Sequence, residues 1–199
     1  MSYSIDSISA DCYPNSTCLI NKFDIRDETT LARVEADIVL LKSSELLSQP
    51  PEGAFDFAQY RAIHRYLFED IYAWAGEMRT IDISKKGTNF VKAADIERLA
   101  GSAFSRLNAM DNFTGMEKDE FVENIVDFYD VTNMLHPFRE GNGRTQRIFF
   151  TQLIRNAGYD FSIAAMDPDE LMIATIQRSH GVSDHLKQLF REAIQPGAM

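Results

Sequence analysis

Apolar residues recur at three- and four-residue steps along most of the chain, the pattern of helices that each bury one face. The first run is Glu28 to Leu47, where Leu31, Val34, Ile38 and Leu41 form a stripe that reaches Glu45. Gln49-Pro50-Pro51-Glu52-Gly53 must interrupt it, because proline lacks the amide donor and pushes the preceding residue out of helical space. A second, aromatic-rich helix is predicted from Phe55 to Trp74 through Phe57, Tyr60, Ile63, Leu67 and Ile71, with Gly76 as its stop. Helical spacing resumes at Ala94–Met110, Glu117–Leu135 and Arg144–Asn156. Two shorter helices, Asp169–Arg178 and Ser183–Ile194, follow Asp167-Pro168 and are separated by Gly181. The period changes once, at Arg79 to Val91, which alternates briefly around a Gly-containing turn flanked by β-branched residues. The expectation is an all-α domain with one small hairpin as its only β element.

Composition narrows the function. With 199 residues, 45% of them hydrophobic, the chain fits one compact domain. A formal charge of −10 argues against sequence-independent binding of nucleic acid. The longest apolar stretch, Ile71-Tyr72-Ala73-Trp74-Ala75, is too short to span a bilayer, and no basic residue precedes Lys22, so neither a membrane anchor nor a signal peptide is expected and the default location is cytoplasmic. Cys12 and Cys18 are the only cysteines and are expected to be reduced thiols. The four histidines show neither HExxH nor Cys/His ligand spacing, which makes a structural zinc site improbable.

Chemistry concentrates between the helices predicted at Glu117–Leu135 and Arg144–Asn156, in His136-Pro137-Phe138-Arg139-Glu140-Gly141-Asn142-Gly143-Arg144-Thr145-Gln146-Arg147. Gly141 and Gly143 bracket Asn142, so successive backbone N–H groups can converge into a phosphate-binding nest at a helix N-terminus. Arg144 and Arg147 lie three apart in the first turn, where positive charge opposes the helix dipole unless an anion is bound. Glu140, the loop's one carboxylate, is the candidate for Mg²⁺ beside a polyphosphate, and His136 is the candidate general base. Phe138 is expected to anchor the loop in the core. Each group has an ordinary alternative: His136 as a helix C-cap, Gly-Asn-Gly as a turn, Glu140 with an arginine as a surface ion pair. Taken together within twelve residues they point to a nucleotide site. A Walker A loop is excluded, because Gly143 is followed by Arg144-Thr145 and not by Lys with Ser or Thr.

HPFREGNGRTQR resembles the signature of the Fic-domain family, HxFx(D/E)GNGRxxR, at every signature position. The resemblance extends to the aromatic segment ending in Trp74-Ala75-Gly76 and to the hairpin ahead of the motif. It implies a Fic-type helical bundle divided into an N-terminal helical region (1–54), a core (55–160) and C-terminal helices (161–199). It also implies transfer of AMP from ATP, with Mg²⁺, to a Ser, Thr or Tyr hydroxyl of a target protein. His136 would then be the general base and Glu140 the Mg²⁺ ligand. Gly141, Asn142 and Gly143 would hold the phosphates, while Arg144 and Arg147 position the triphosphate, Arg147 at its γ end. The hairpin would be a flap that pairs with an extended target segment through Ile81, Asp82, Ile83, Asn89, Phe90 and Val91, with Lys86, Gly87 and Thr88 at its tip near the nucleotide. An ordinary surface hairpin is the alternative.

Family members often carry an inhibitory helix with (S/T)xxxE(G/N). The only string that fits here is Ser48 to Gly53, which its prolines would break. The resemblance therefore implies a toxin held inactive by a separate small antitoxin whose Glu reaches Arg147. Some toxin members modify ATPase subunits of bacterial type II topoisomerases, so these subunits are a family-level expectation for the target. Transfer of UMP, phosphocholine or phosphate on the same fold is the nearest alternative, although the phosphate-transferring branch has Lys where this chain has Gly143. A non-catalytic nucleotide-binding module is the other.

Overall fold

The computed structural model describes residues 11–50, 53–85, 87–162 and 166–197. Seven helices are found among them: α1 (Glu28–Ser48), α2 (Phe57–Phe68), α3 (Ile96–Ala109), α4 (Lys118–Leu135), α5 (Asn142–Asn156), α6 (Pro168–Ser179) and α7 (Asp184–Ala193). Asp27 and Asp56 cap α1 and α2, their carboxylates accepting from the amides of Thr30 and Gln59. Pro168 occupies the first turn of α6, where its missing amide leaves no bond unmade.

The core is built around α5. Its run from Ile148 to Ile154 is buried on all sides by α1, α2, α4 and the strand that follows. Phe149 lies against Phe55, Tyr60, Phe104 and Phe150 at centroid distances of 5.2–5.8 Å, mostly edge to face, the arrangement that ring quadrupoles favour. Polar bonds fix the register: Gln146 Nε2 donates to the Tyr129 carbonyl and to Thr132 Oγ1 of α4, both at 2.8 Å, and Gln152 Nε2 to the Leu46 carbonyl of α1 at 3.1 Å. The N-terminus of α5 is thereby held against the C-terminus of α4, where the motif lies.

Three expectations change. The aromatic helix stops at Phe68, six residues short of Trp74, because Ile71 and Tyr72 donate to the Phe68 carbonyl and fold the chain back on itself. That turn buries Ile71, Tyr72 and Ala75 and ends at Gly76, whose φ of +81° no other residue takes easily.

The stripe read on α1 is only partly its buried face: Leu31 is buried and Val34 and Ile38 are half-buried. Leu31, Glu35, Val39 and Leu46 point inward, while Leu41 is 73% exposed. The helix is rotated so that Glu35 enters the interior, and the Glu35 contacts described below are the physical reason.

The hairpin is also not the only β element. Its strands, β1 (Ser84–Lys85) and β2 (Thr88–Asn89), pair Ser84 with Asn89 and Lys85 with Thr88. A second antiparallel pair joins β3 (Tyr159–Phe161) to β4 (Ile194–Pro196), so Ile194 opens a strand and does not end the last helix. Three-residue strands separated by two helices carry no readable alternation. Cys12 and Cys18 are free thiols, as expected.

Candidate functional site

The loop between α4 and α5 hangs on Phe138. Its ring is fully buried, stacked on His64 at 3.8 Å and on Tyr60 at 5.8 Å. Asn142 closes the loop behind it: Oδ1 accepts the Phe138 amide at 2.9 Å and Nδ2 donates to the Phe138 carbonyl at 2.8 Å. The Asn142 side chain is therefore committed to the loop, which leaves only its backbone for a ligand. Amides at the first positions of α5 have no intrahelical acceptor, so the Asn142, Gly143 and Arg144 N–H groups remain as donors for an anion.

The two glycines serve different ends. Gly141 sits at φ +81°, and a Cβ there would lie 2.4 Å from the Phe68 ring. A Cβ on Gly143 would meet nothing within 4 Å. Protein packing demands the first glycine, whereas the space at the second is open for a ligand to approach the backbone.

His136 caps α4 in the left-handed region (φ 40°, ψ 58°) and is 8% exposed. The helix C-cap, the ordinary alternative read for this residue, is what the structure shows. A carbonyl can only accept, so the 3.0 Å contact with the Asn133 carbonyl places the proton on Nδ1 and the basic lone pair on Nε2. Burial pushes its pKa down to about 3, so the ring is neutral at physiological pH. Phe90 of the hairpin stacks on it at 3.8 Å with ring planes 15° apart.

The hairpin is tied to this point by Arg79, which sequence reasoning passed over. Its guanidinium donates to the carbonyls of His136 (2.9 Å), Ile81 (2.7 Å), Leu135 (3.4 Å) and Val91. One buried fork thus joins both arms of the hairpin to the C-terminus of α4, where a cation also suits the helix dipole. Asp82 accepts the Ala93 amide at 2.7 Å and Val91 donates to the Met134 carbonyl at 3.0 Å, so the hairpin's base is fixed on both sides. Ile83 is buried, Gly87 and Asn89 are exposed, and Thr88 is half-buried. Lys86 lies outside the described residues.

Two further missed residues support the motif from other helices. His64, on α2, accepts the Gly76 amide at Nδ1 (2.8 Å) and therefore donates from Nε2 to the Glu140 carbonyl (3.0 Å). Burial lowers its pKa to about 3, which keeps this tautomer neutral. Glu35, on α1, is ion-paired with Arg144 at 2.6 Å and accepts the Tyr72 hydroxyl. Each interrupts an apolar row, His64 between Tyr60 and Leu67, Glu35 between Leu31 and Val39. That interruption was the available signal.

Charge in the motif is distributed unlike its count. The segment 136–155 carries four arginines against Glu140, nominally +3. However, Arg139 pairs with Asp11 at 3.3 Å, Arg155 donates to the Phe161 carbonyl at 3.3 Å, and Arg144 is paired with Glu35 and, at 3.4 Å, with Glu140. A uniformly cationic pocket is thus not what the motif builds. Arg147 keeps exposed surface, although partial burial of its guanidinium lowers its pKa, and among the described residues it makes no ion pair. Glu140 is half-buried; Oε1 accepts from the Gly141 amide at 2.9 Å and from Arg144, and among the described residues Oε2 has no hydrogen-bond partner.

The Fic/DOC family profile matches residues 54–154, just over half the chain, and that span contains the aromatic helix, the hairpin and the whole motif. The chain belongs to the Fic/DOC family. Among curated relatives of this Fic/DOC chain, one from Sinorhizobium fredii, named "Probable protein adenylyltransferase y4lH", is 39% identical over 171 residues, covering 85% of this chain and 88% of the relative. The protein adenylyltransferase VbhT of Bartonella schoenbuchensis is 35% identical over 89% of this chain, a stretch that makes up 37% of VbhT. Among solved structures, the BepC protein of Bartonella tribocorum with bound AMPPNP superposes with a TM-score of 0.89 at 27% identity, over 94% of this chain and 97% of that one. The N-terminal Fic domain of a Bartonella quintana effector with bound ADP gives 0.88 at 30% identity, over 94% and 95%. No helix among the described residues is long and apolar enough to cross a membrane.

Proposed function

We infer that this Fic/DOC chain is a protein adenylyltransferase, a nucleotidyltransferase that moves AMP from ATP to a hydroxyl side chain of a target protein. The observation that carries the reading is the state of His136: neutral, its Nδ1 proton fixed by the Asn133 carbonyl, its lone pair on Nε2, on the short loop that leads into the N-terminus of α5. In the reaction the target hydroxyl oxygen bonds to the α-phosphorus and its proton passes to His136 Nε2. The bond from the α-phosphorus to the α,β-bridging oxygen breaks, and pyrophosphate leaves. The backbone donors of residues 142–144 take the phosphate oxygens, and Arg147 supplies positive charge to the departing end.

Glu140 fits a hard divalent cation. Among the described residues no cluster of three or more His, Cys, Asp or Glu could cage a metal, so an ion there would share one carboxylate with phosphate oxygens, as Mg²⁺ does. Bound, Mg²⁺ supplies neutralisation of phosphate charge. The hairpin would hold the target: Arg79 fixes its base beside His136, and the segment between Ile81 and Val91 is the one that would pair with an extended strand.

The test is incubation with Mg²⁺ and ATP labelled at the α- or γ-phosphate, with a bacterial lysate or a purified type II topoisomerase ATPase subunit as target. Label is expected on protein from the α position only. His136→Ala and Arg147→Ala are each expected to lose at least about 100-fold of it, the scale of general-base or charge-stabilising groups. Transfer of γ-label would identify a kinase, and no transfer by either label to any target would leave a binding module. We propose in addition that a separate small protein inhibits the enzyme by placing a glutamate on Arg147, the arginine left exposed. Such a protein should protect Arg147 from an arginine-directed reagent when co-expressed, and unchanged reactivity would count against it.

A further inference from the structure

We propose that Glu35, on the first helix, is a positioning residue of the transfer site: it holds Arg144 so that Glu140 keeps the orientation and negative charge needed for a divalent cation. The inference rests on the reading of Glu140 as the cation's carboxylate. It concerns a residue outside the span that the family profile matches, on a helix whose orientation the apolar pattern did not anticipate.

Arg144 is fixed from three sides. Its guanidinium lies over the Phe68 ring, 4.8 Å from the centroid, with Glu35 Oε1 at 2.6 Å and Glu140 Oε1 at 3.4 Å. Glu35 is itself held: its residue is 8% exposed, and its second oxygen accepts the Tyr72 hydroxyl, which burial and the adjacent Glu35 charge keep protonated. Tyr72 is locked in turn by stacking on Trp74 at 4.4 Å. The order of the distances decides the role of the arginine. The nearer carboxylate, Glu35, takes the larger share of the guanidinium charge, so Arg144 steadies one oxygen of Glu140 without neutralising it. Without the Glu35 charge, the whole attraction of Arg144 would fall on Glu140, and a cation would have to compete with it. Arg144 thus acts through Glu140, and Arg147 remains the arginine open to phosphate.

The closing experiment measures equilibrium binding of AMPPNP to the full chain across a Mg²⁺ titration and in EDTA. It compares wild type, Glu35→Gln, Tyr72→Phe and Glu140→Ala. Wild type should bind more tightly with Mg²⁺, and Glu140→Ala should lose that gain. Glu35→Gln keeps the shape of the side chain and removes its charge. It should raise the Mg²⁺ concentration at half-effect by about tenfold or more, the usual cost of losing a group that orients a metal ligand, and leave binding in EDTA unchanged. Tyr72→Phe, which removes one support and leaves the ion pair, should shift it the same way by a smaller factor. It also keeps the test open should Glu35→Gln fail to fold. An unchanged Mg²⁺ midpoint with only a lower melting temperature would show Glu35 to be structural and overturn the proposal. Tighter binding in EDTA would show Glu35 competing with phosphate for Arg144, and would overturn it as well. If wild type and Glu140→Ala respond to Mg²⁺ alike, the cation reading of Glu140 fails first and the role of Glu35 with it.

Discussion

Glycine 141 and glycine 143 look equivalent in the motif and are physically opposite, which makes them separable by mutation. A Cβ at Gly141 would be driven into the Phe68 ring and would sit at φ +81°. Gly141→Ala is expected to cost about 2–4 kcal/mol, from left-handed strain plus overpacking, visible as a lower urea midpoint. A Cβ at Gly143 meets no protein atom, and alanine suits a helix better than glycine. Gly143→Ala should keep the wild-type urea midpoint or raise it, while weakening binding of AMPPNP at least tenfold by filling the ligand's approach to the backbone. Equal binding by wild type and Gly143→Ala would mean that no phosphate lies against these amides.

At the scale of elements, the hairpin depends on a single side chain. Two paired residues per strand are far too few to stand alone, and the four carbonyls gathered by Arg79 do what the short ladder does not. Lysine preserves the charge but not the fork. Arg79→Lys would leave at least one of these carbonyls without a donor, at about 1–3 kcal/mol where buried. Transfer to the target is expected to fall by an order of magnitude or more, with a smaller effect on AMPPNP binding. Amide exchange over residues 81–91 should accelerate. Unchanged exchange there would show that the strands hold themselves.

This element also marks how far the sequence could be read. The helices were legible because their apolar spacing is local, and the site was legible because its groups share one twelve-residue loop. Glu35, His64 and Arg79 were not, since each matters through a partner 57 or more residues away that no periodicity encodes. The rotation of α1 belongs with them: Val39 is buried and Leu41 exposed, and Glu35, on the buried side, is held there by Arg144 and Tyr72.

For the whole molecule, both histidines that organise the site are buried in the neutral form, and this couples the site to global stability. His64 and His136 each titrate near pH 3 in the folded protein, depressed chiefly by burial, against an ordinary value of 6.5. Between those values the unfolded chain binds up to two more protons than the folded one, so stability rises with pH across this window. Their contribution is fully present above pH 6.5 and is lost as pH falls towards 3, with a limiting slope of about 1.4 kcal/mol per pH unit for each histidine. Asp130, whose pKa burial raises, works in the opposite sense, and the interval from pH 6.5 to 5 lies inside the window of both histidines. Urea midpoints measured at intervals over that range should fall steadily for wild type. The fall should be shallower by one proton in His136→Ala, which removes one of the two groups. A flat wild-type profile from pH 6.5 to 5 would mean that the rings accept protons in the native state, and then the neutral His136 on which the proposed transfer chemistry depends would not be secured by the fold.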